Sequence, residues 1–127
     1  MGTPTDDARR SLEILSNAQD QVLRKISPRT TIKDIEAVAA GVVKKDGCEL
    51  VGHVGHSIGL KTEEDPHLWS ARNPYPDMIE ENMTLALFQT PIQSKQTMGL
   101  RLEDTLVVTR QGAKTLTTFP RELLVIS

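Results

Sequence analysis

The feature that most constrains this chain is a change of period at Asp46-Gly47. Before it, apolar residues recur every three or four positions, the mark of helices packed by one face. In residues 5–26, Ala8, Leu12, Leu15, Ala18, Val22 and Ile26 form such a stripe among Arg, Glu, Gln and Asp. Thr3 or Thr5 can cap its start, Asp6 and Asp7 suit the positive end of its dipole, and Arg24 and Lys25 the negative end. Ser27-Pro28-Arg29 stops it. Residues 31–45 repeat the pattern with Ile32, Ile35, Val38, Ala39 and Val42, capped by Thr30 or Thr31 and closed by Lys44, Lys45 and Asp46-Gly47. Both helices read as covers for a core.

Beyond Gly47 the texture is that of turns and short extended pieces. GHVGHSIGL and the run from Asp65 to Pro76 read as loops with short extended pieces, and Met83–Gln89 as a short strand of mixed pattern. Leu100–Thr109 is the best strand pattern, followed by a turn at Gln111-Gly112. Lys114–Thr118 and a final apolar run, Leu123–Ile126, read as further strands. Two helices followed by turn-linked strands predict an α+β fold, one domain over residues 1–127, with both helices on one face of a mostly antiparallel sheet.

Composition narrows the function classes. Fifteen basic and seventeen acidic residues, with no long run of one sign, argue against a nucleic-acid partner. No stretch has the length and apolarity of a membrane span, and MGTPTDDARR lacks the apolar segment of a secretory signal. The single cysteine, Cys48, fits a reducing cytoplasm and reads as packing rather than as a nucleophile. Two Phe, one Tyr and one Trp are few for this length, so the core relies on aliphatic side chains and could gain burial from a partner.

All three histidines fall within fifteen residues: His53 and His56 in GHVGHSIGL, and His67 after Glu63-Glu64-Asp65-Pro66. A zinc site needs three or four convergent N, S or O donors. His53, His56, His67, Glu63, Glu64 and Glu103 are the available types, but spacing among glycines does not make them converge. On a strand, Arg101 and Glu103 share one face and Leu102 and Asp104 the other, so a polar inner residue implies either a buried ion pair or a ligand site.

Five segments in order resemble the C-terminal half of the pita-bread catalytic domain of methionine aminopeptidase, Xaa-Pro dipeptidase, aminopeptidase P and creatinase. Gly2-Thr3-Pro4-Thr5 with Arg9 resembles the entry to a helix after the first metal-binding hairpin. Gly55-His56-Ser57-Ile58-Gly59-Leu60 with Pro66 resembles GHGIGLxxHExP, and Glu81-Asn82-Met83-Thr84 resembles PGMxF. Gly99 to Thr109 resembles GxRxEDxxxVT, and Gly112 to Leu123 resembles the closing GAxxLTxxPREL.

The resemblance implies a site of two aspartates, one histidine and two glutamates holding two divalent ions, which generate a hydroxide nucleophile. His56 takes the place of the ligand histidine and Glu103 that of the last bridging glutamate. Both aspartates are expected in a half-domain preceding residue 1. The first glutamate falls on Phe88, or on Gln89 with a one-residue slip, and neither replaces a carboxylate bridge. The second histidine of the motif, which positions the scissile carbonyl, is here Glu63, and His53 lies near an upstream family histidine.

The implied catalytic residues are therefore His56, Glu63 and His53, with His56 and Glu103 as the remnant of a metal site and Arg101 as a substrate contact. The implied function is that of an Xaa-Pro peptidase or creatinase homologue, inactive alone as a peptidase. No cofactor of its own is expected, and Mn, Co or Zn only where another chain completes the site. Partners implied are a second copy in a homodimer or a complementary N-terminal half-domain. Two alternatives follow: a metal-free C–N hydrolase of creatinase type active on assembly, or a non-catalytic protein-interaction module.

Overall fold

The computed structural model describes residues 2–50, 52–71, 78–89 and 100–125. Helix α1 spans Asp6–Lys25 and α2 spans Ile32–Lys45. The hydroxyl of Thr5 accepts from the amide of Ala8 and that of Thr31 from the amide of Asp34, satisfying first-turn donors that would otherwise lack partners. Their stripes bury Leu15, Ala18 and Val22 from α1 and Ile32, Ile35 and Ala39 from α2.

Five strands follow: β1 Gly55–Ser57, β2 Glu64–His67, β3 Thr84–Gln89, β4 Leu102–Thr109 and β5 Gly112–Thr115. They form one sheet in the order β2-β1-β3-β4-β5, with every adjacent pair antiparallel. Leu85 and Leu87 of β3 and Leu106 and Val108 of β4 point to the helices, where they join Val22, Ile26, Ile32, Ile35 and Ala39 in the main core. A second cluster joins Ile14, Leu15, Ala18, Val42, Val43 and Cys48. The expected α+β architecture, helices on one face of an antiparallel sheet, is what forms. Cys48 is a buried packing residue.

Glu64–His67 is one of the short extended pieces, starting one residue before the Asp65–Pro76 run and pairing with β1, while residues 72–76 of that run lie outside the described residues. Two strand expectations need correction. The strand expected at Lys114–Thr118 is Gly112–Thr115, ending where the Leu116 and Thr117 amides both turn back to the Thr105 carbonyl. Leu123–Val125 is not a strand, and Ile126 lies outside the described residues. The outer side of β5 gives the Ala113 amide to the Ile26 carbonyl at the end of α1, so that position offers no donor to a sixth strand. Leu124 and Val125 are left exposed.

Arg121 holds this terminal segment in place instead. Its guanidinium pairs with Asp20 of α1 and, at 2.6 Å, with Oδ2 of Asp104 on β4. Asp104 also accepts from Gln19 Nε2 at 3.0 Å and from the Thr117 hydroxyl at 2.7 Å, and Gln19 donates to the Leu87 carbonyl at 2.9 Å. Both carboxylate oxygens of this buried group are therefore satisfied. Of the two outcomes open for the inner face of this strand, a buried ion pair is the one observed.

The turn into β3 also shows local fitting. Asn82 adopts φ 72°, a left-handed conformation that Asn tolerates better than most residues, where the resembling motif has glycine.

Removing the arginine leaves a buried carboxylate without its cation. Arg121→Ala is expected to lower unfolding free energy by about 2–4 kcal/mol, and Arg121→Lys to lose less. Urea unfolding followed by circular dichroism measures both, and an alanine variant within 0.5 kcal/mol or so of the parent would contradict this account.

Candidate functional site

The candidate site lies on the sheet face opposite the helices. Side chains alternate along a strand, so the register sorts them. Leu87 pairs with Asp104 on the helix side, whereas Phe88 pairs with Glu103 one step along. His56 pairs with Ala86 of β3, which in turn pairs with Thr105 of β4. His56, Thr105 and Glu103 therefore share the outer face. Strand β3 stands between the histidine and the glutamate, and Glu103 lies two residues along β4 from Thr105, so two strand spacings across the sheet and two residues along it separate them by roughly 12 Å.

Glycine makes the histidine's position accessible. A Cβ on Gly55 would collide with the carbonyl oxygen of Ala86 and with Leu68, so only glycine lets β1 approach β3 there. The Val54 amide bonds the Leu68 carbonyl and the Leu68 amide bonds the Gly55 carbonyl, closing the β1–β2 end. His56 is buried, with Nδ1 3.0 Å from the Ser57 carbonyl. A carbonyl only accepts, so Nδ1 carries the proton and the lone pair of the neutral ring is on Nε2.

Glu103 is half-exposed and meets Arg101 at 2.9 Å. The two residues assigned to metal and substrate thus contact each other directly. Glu63 directly precedes β2, and the Arg101 charge reaches His53, where it adds to burial in lowering the ring's pKa. Glu63 Oε1 is 2.8 Å from His67 Nε2 and 4.0 Å from His53 Nε2. Asp65 Oδ1 is 2.9 Å from His67 Nδ1, so both nitrogens of that ring face carboxylates. His53 stacks on Trp69, with centroids 6.0 Å apart and planes 9° from parallel. His67 pairs with His56 across the β1–β2 ladder.

Asp65 and Trp69 are neighbours with no role expected from sequence, and His67, named there only as one available donor type, is the centre of the cluster. The signal that could have exposed them was the continuation of the histidine run through Asp65-Pro66-His67, hidden because Pro66 reads as loop. Among the described residues, no group of three or more His, Cys, Asp or Glu side chains could hold a metal ion.

The cluster sets the charge states of its members. Hydrogen bonding to Asp65 raises the pKa of His67 above its ordinary 6.5, with Glu63 adding to the effect. Burial lowers that of His53, and Glu63 only partly offsets this. The bond from His67 lowers that of Glu63.

These local contacts are placed in a wider context by known proteins. The model of metallopeptidase family M24 matches residues 1–110. An Xaa-Pro dipeptidase of Pyrococcus furiosus is 29% identical over 126 residues, 98% of this chain and 35% of that protein. The X-Pro aminopeptidase structure from Thermotoga maritima superposes with a TM-score of 0.86 at 32% identity, covering 99% of this chain and 35% of its own. A methionine aminopeptidase structure from Rickettsia prowazekii shares the fold, with a TM-score of 0.75 at 17% identity over 90% of this chain and 54% of its own. The chain spans about a third of the length of the curated relatives it matches.

The residues present do not fit a complete two-metal centre of this family. Phe88, the β3 residue paired with Glu103, offers no donor atom for a second carboxylate bridge. Gln89, the alternative position, pairs with Leu102 and not with Glu103.

Histidine NMR titration tests the cluster electrostatics. His67 is expected to titrate above 6.5 and His53 below it, and Glu63→Gln to move both downward. The stabilisation from a raised His67 pKa is complete below its unfolded value and is lost as pH rises through the folded one. The lowered His53 pKa acts oppositely, costing stability as pH falls below 6.5. Identical titration of the two rings would contradict the assignment. With its fold, its outer-face histidine and these matches taken together, the chain belongs to metallopeptidase family M24 and comprises the C-terminal half of a pita-bread domain.

Proposed function

We propose that this chain supplies the His56–Glu103 side of an Xaa-Pro peptidase-type domain and does not hydrolyse peptides by itself. One observation carries the reading: the β3–β4 register pairs Glu103 with Phe88, where a second carboxylate would be needed to hold two cations. His56 retains a donor oriented by the Ser57 carbonyl, and Glu103 retains its carboxylate on the same face. Two donors of this kind do not make an open catalytic site, which takes at least three protein ligands. Glu63, where the resembling motif has a carbonyl-positioning histidine, is a poor donor to a developing oxyanion because an ionised carboxylate only accepts. Arg101 is the substrate contact in this reading, released from Glu103 when a partner completes the cleft.

The test is hydrolysis of Xaa-Pro dipeptides by the purified chain with Mn²⁺, Co²⁺ or Zn²⁺ supplied. No turnover above the metal-only control is expected. Metal-dependent turnover that disappears with His56→Ala would refute the proposal.

A protein-interaction role is the second reading, supported by one observation. Phe119, Leu124, Val125 and Leu116 are exposed on the terminal segment, and Phe119 retains 70% of its accessible surface. Aromatic and aliphatic groups left in water at this density suit burial against another chain. The partners this reading takes are a second copy or a complementary half-domain. Light scattering is expected to give a mass above 14.1 kDa that falls towards the monomer with Phe119→Ser/Leu124→Ser. A parent chain that stays monomeric at high concentration removes the homodimer.

A further inference from the structure

The helix side of the molecule holds a cleft that the peptidase reading does not use. It opens at the end of α2, where Ala40, Val43 and Lys44 of the helix face Cys48, Glu49 and Leu50 of the chain that follows, and it encloses about 460 Å³. A space of this size suits a small organic molecule. We propose that it binds a free α-amino acid with an apolar side chain, held as its zwitterion, with L-leucine representing the class.

The lining selects that chemistry. Its floor is apolar: Val43 and Cys48 are buried, and Leu50 is half-buried beside them. An alkyl side chain entering there leaves water for contact with carbon and sulfur. The rim carries one charge of each sign, on the exposed Lys44 and Glu49. Among the described residues, no ion pair engages either of them. An α-amino acid brings the matching pair, a carboxylate for the Lys44 ammonium and an ammonium for the Glu49 carboxylate. A fatty acid would leave Glu49 unmatched, and an alkylamine would leave Lys44 unmatched. The negative end of the α2 dipole lies at the same place and adds to the attraction for the ligand's ammonium.

The backbone fixes the shape of the cleft before anything enters it. Gly47 turns the chain at φ 73°. The amides of Asp46 and Cys48 then return to the Val43 carbonyl at 3.2 and 3.0 Å, and the Gly47 amide to the Lys44 carbonyl at 3.0 Å. These bonds pin Cys48 against α2, where it packs with Ile14, Ala18, Val42 and Val43. A site ordered in advance loses less conformational freedom on binding. Ala40 contributes only a methyl group to the wall, which leaves the mouth open. His56 and Glu103 lie on the opposite face of the sheet, so this cleft is separate from the family site. The inference goes beyond the proposed function and stands whether or not the chain hydrolyses peptides.

Titration of L-leucine into the ¹⁵N-labelled full chain near neutral pH, followed by amide spectra, tests it. Saturable shifts are expected at Val43, Cys48 and Leu50, with the amides of His56 and Glu103 unmoved. Isocaproate, which is leucine without its amino group, is expected to bind about threefold more weakly. Glycine, with both charges and no alkyl side chain, is expected to bind more weakly still. Glu49→Gln is expected to weaken leucine binding about threefold and to leave isocaproate within about twofold of the parent, because only leucine carries the ammonium. Ala40→Leu is expected to close the mouth and abolish binding, and leucine at this exposed helical position favours folding. Absence of saturable shifts in the parent chain overturns the proposal. So do shifts centred on His56 and Glu103, equal affinity for leucine and isocaproate, or leucine binding that survives Ala40→Leu. Because peptide hydrolysis is measured separately, failure of this site and failure of the proposed function are distinguishable.

Discussion

The Asp104 carboxylate is the interaction on which the rest of this structure depends. It sits buried between β4 and α1, and a carboxylate taken out of water needs a cation and satisfied oxygens to stay charged. Arg121 supplies the cation, while Gln19 and Thr117 supply further donors. Four regions are tied together by this arrangement: α1 through Gln19 and Asp20, β3 through the Leu87 carbonyl, β4 itself, and the terminal segment through Thr117 and Arg121. A one-residue slip of β4 would turn Asp104 outward and bring Glu103 against Leu87 and the helices. The ion pair thus fixes register as well as stability. By fixing register, it also determines that Glu103 faces the same side of the sheet as His56.

His56 depends on a different constraint, one of space. Strand β1 is only three residues long, held by β3 on one side and β2 on the other. Gly55 permits the close approach, and the buried Leu68 and Val54 close the end of that strand. The histidine follows the glycine immediately, so its ring is carried to the outer face by backbone that cannot shift far. Position in this sheet is set twice: electrostatically at β4 and sterically at β1.

Local periodicity made the helices legible, since a 3.6-residue stripe and its caps lie within a few turns of chain. The expected 5–26 and 31–45 became Asp6–Lys25 and Ile32–Lys45. Strands fared less well because their partners are distant. Leu123–Leu124–Val125 has β-forming side chains, but the Ala113 amide at the neighbouring edge is already bonded to α1. Glu64–His67 contains a proline and still pairs, being an edge strand whose missing amide is not needed. At the candidate site, His56 and Glu103 could be named from motifs, but Phe88 and Gln89 could not be separated until register was known. Arg121 was visible only as part of a closing motif. Its partners Asp20 and Asp104 lie 101 and 17 positions away in sequence, and nothing local announces them.

The two faces of the sheet are therefore under unequal physical control. On the helix side, Leu85, Leu87, Leu106 and Val108 are packed and Asp104 is fully paired, so most substitutions there act on folding. On the outer face, Glu103 and Arg101 are half-exposed, and replacing either removes little burial and a solvent-screened ion pair. Phe88 opposite Glu103 fits this asymmetry, because the register survives whichever residue stands there. The cluster around Glu63 extends the point. With glutamate where the motif has histidine, its carboxylate meets the imidazole of His67 directly, and charge at that edge of the sheet is balanced locally. The fold is held by contacts on the helix-facing side, so residues on the outer face can change without unmaking it.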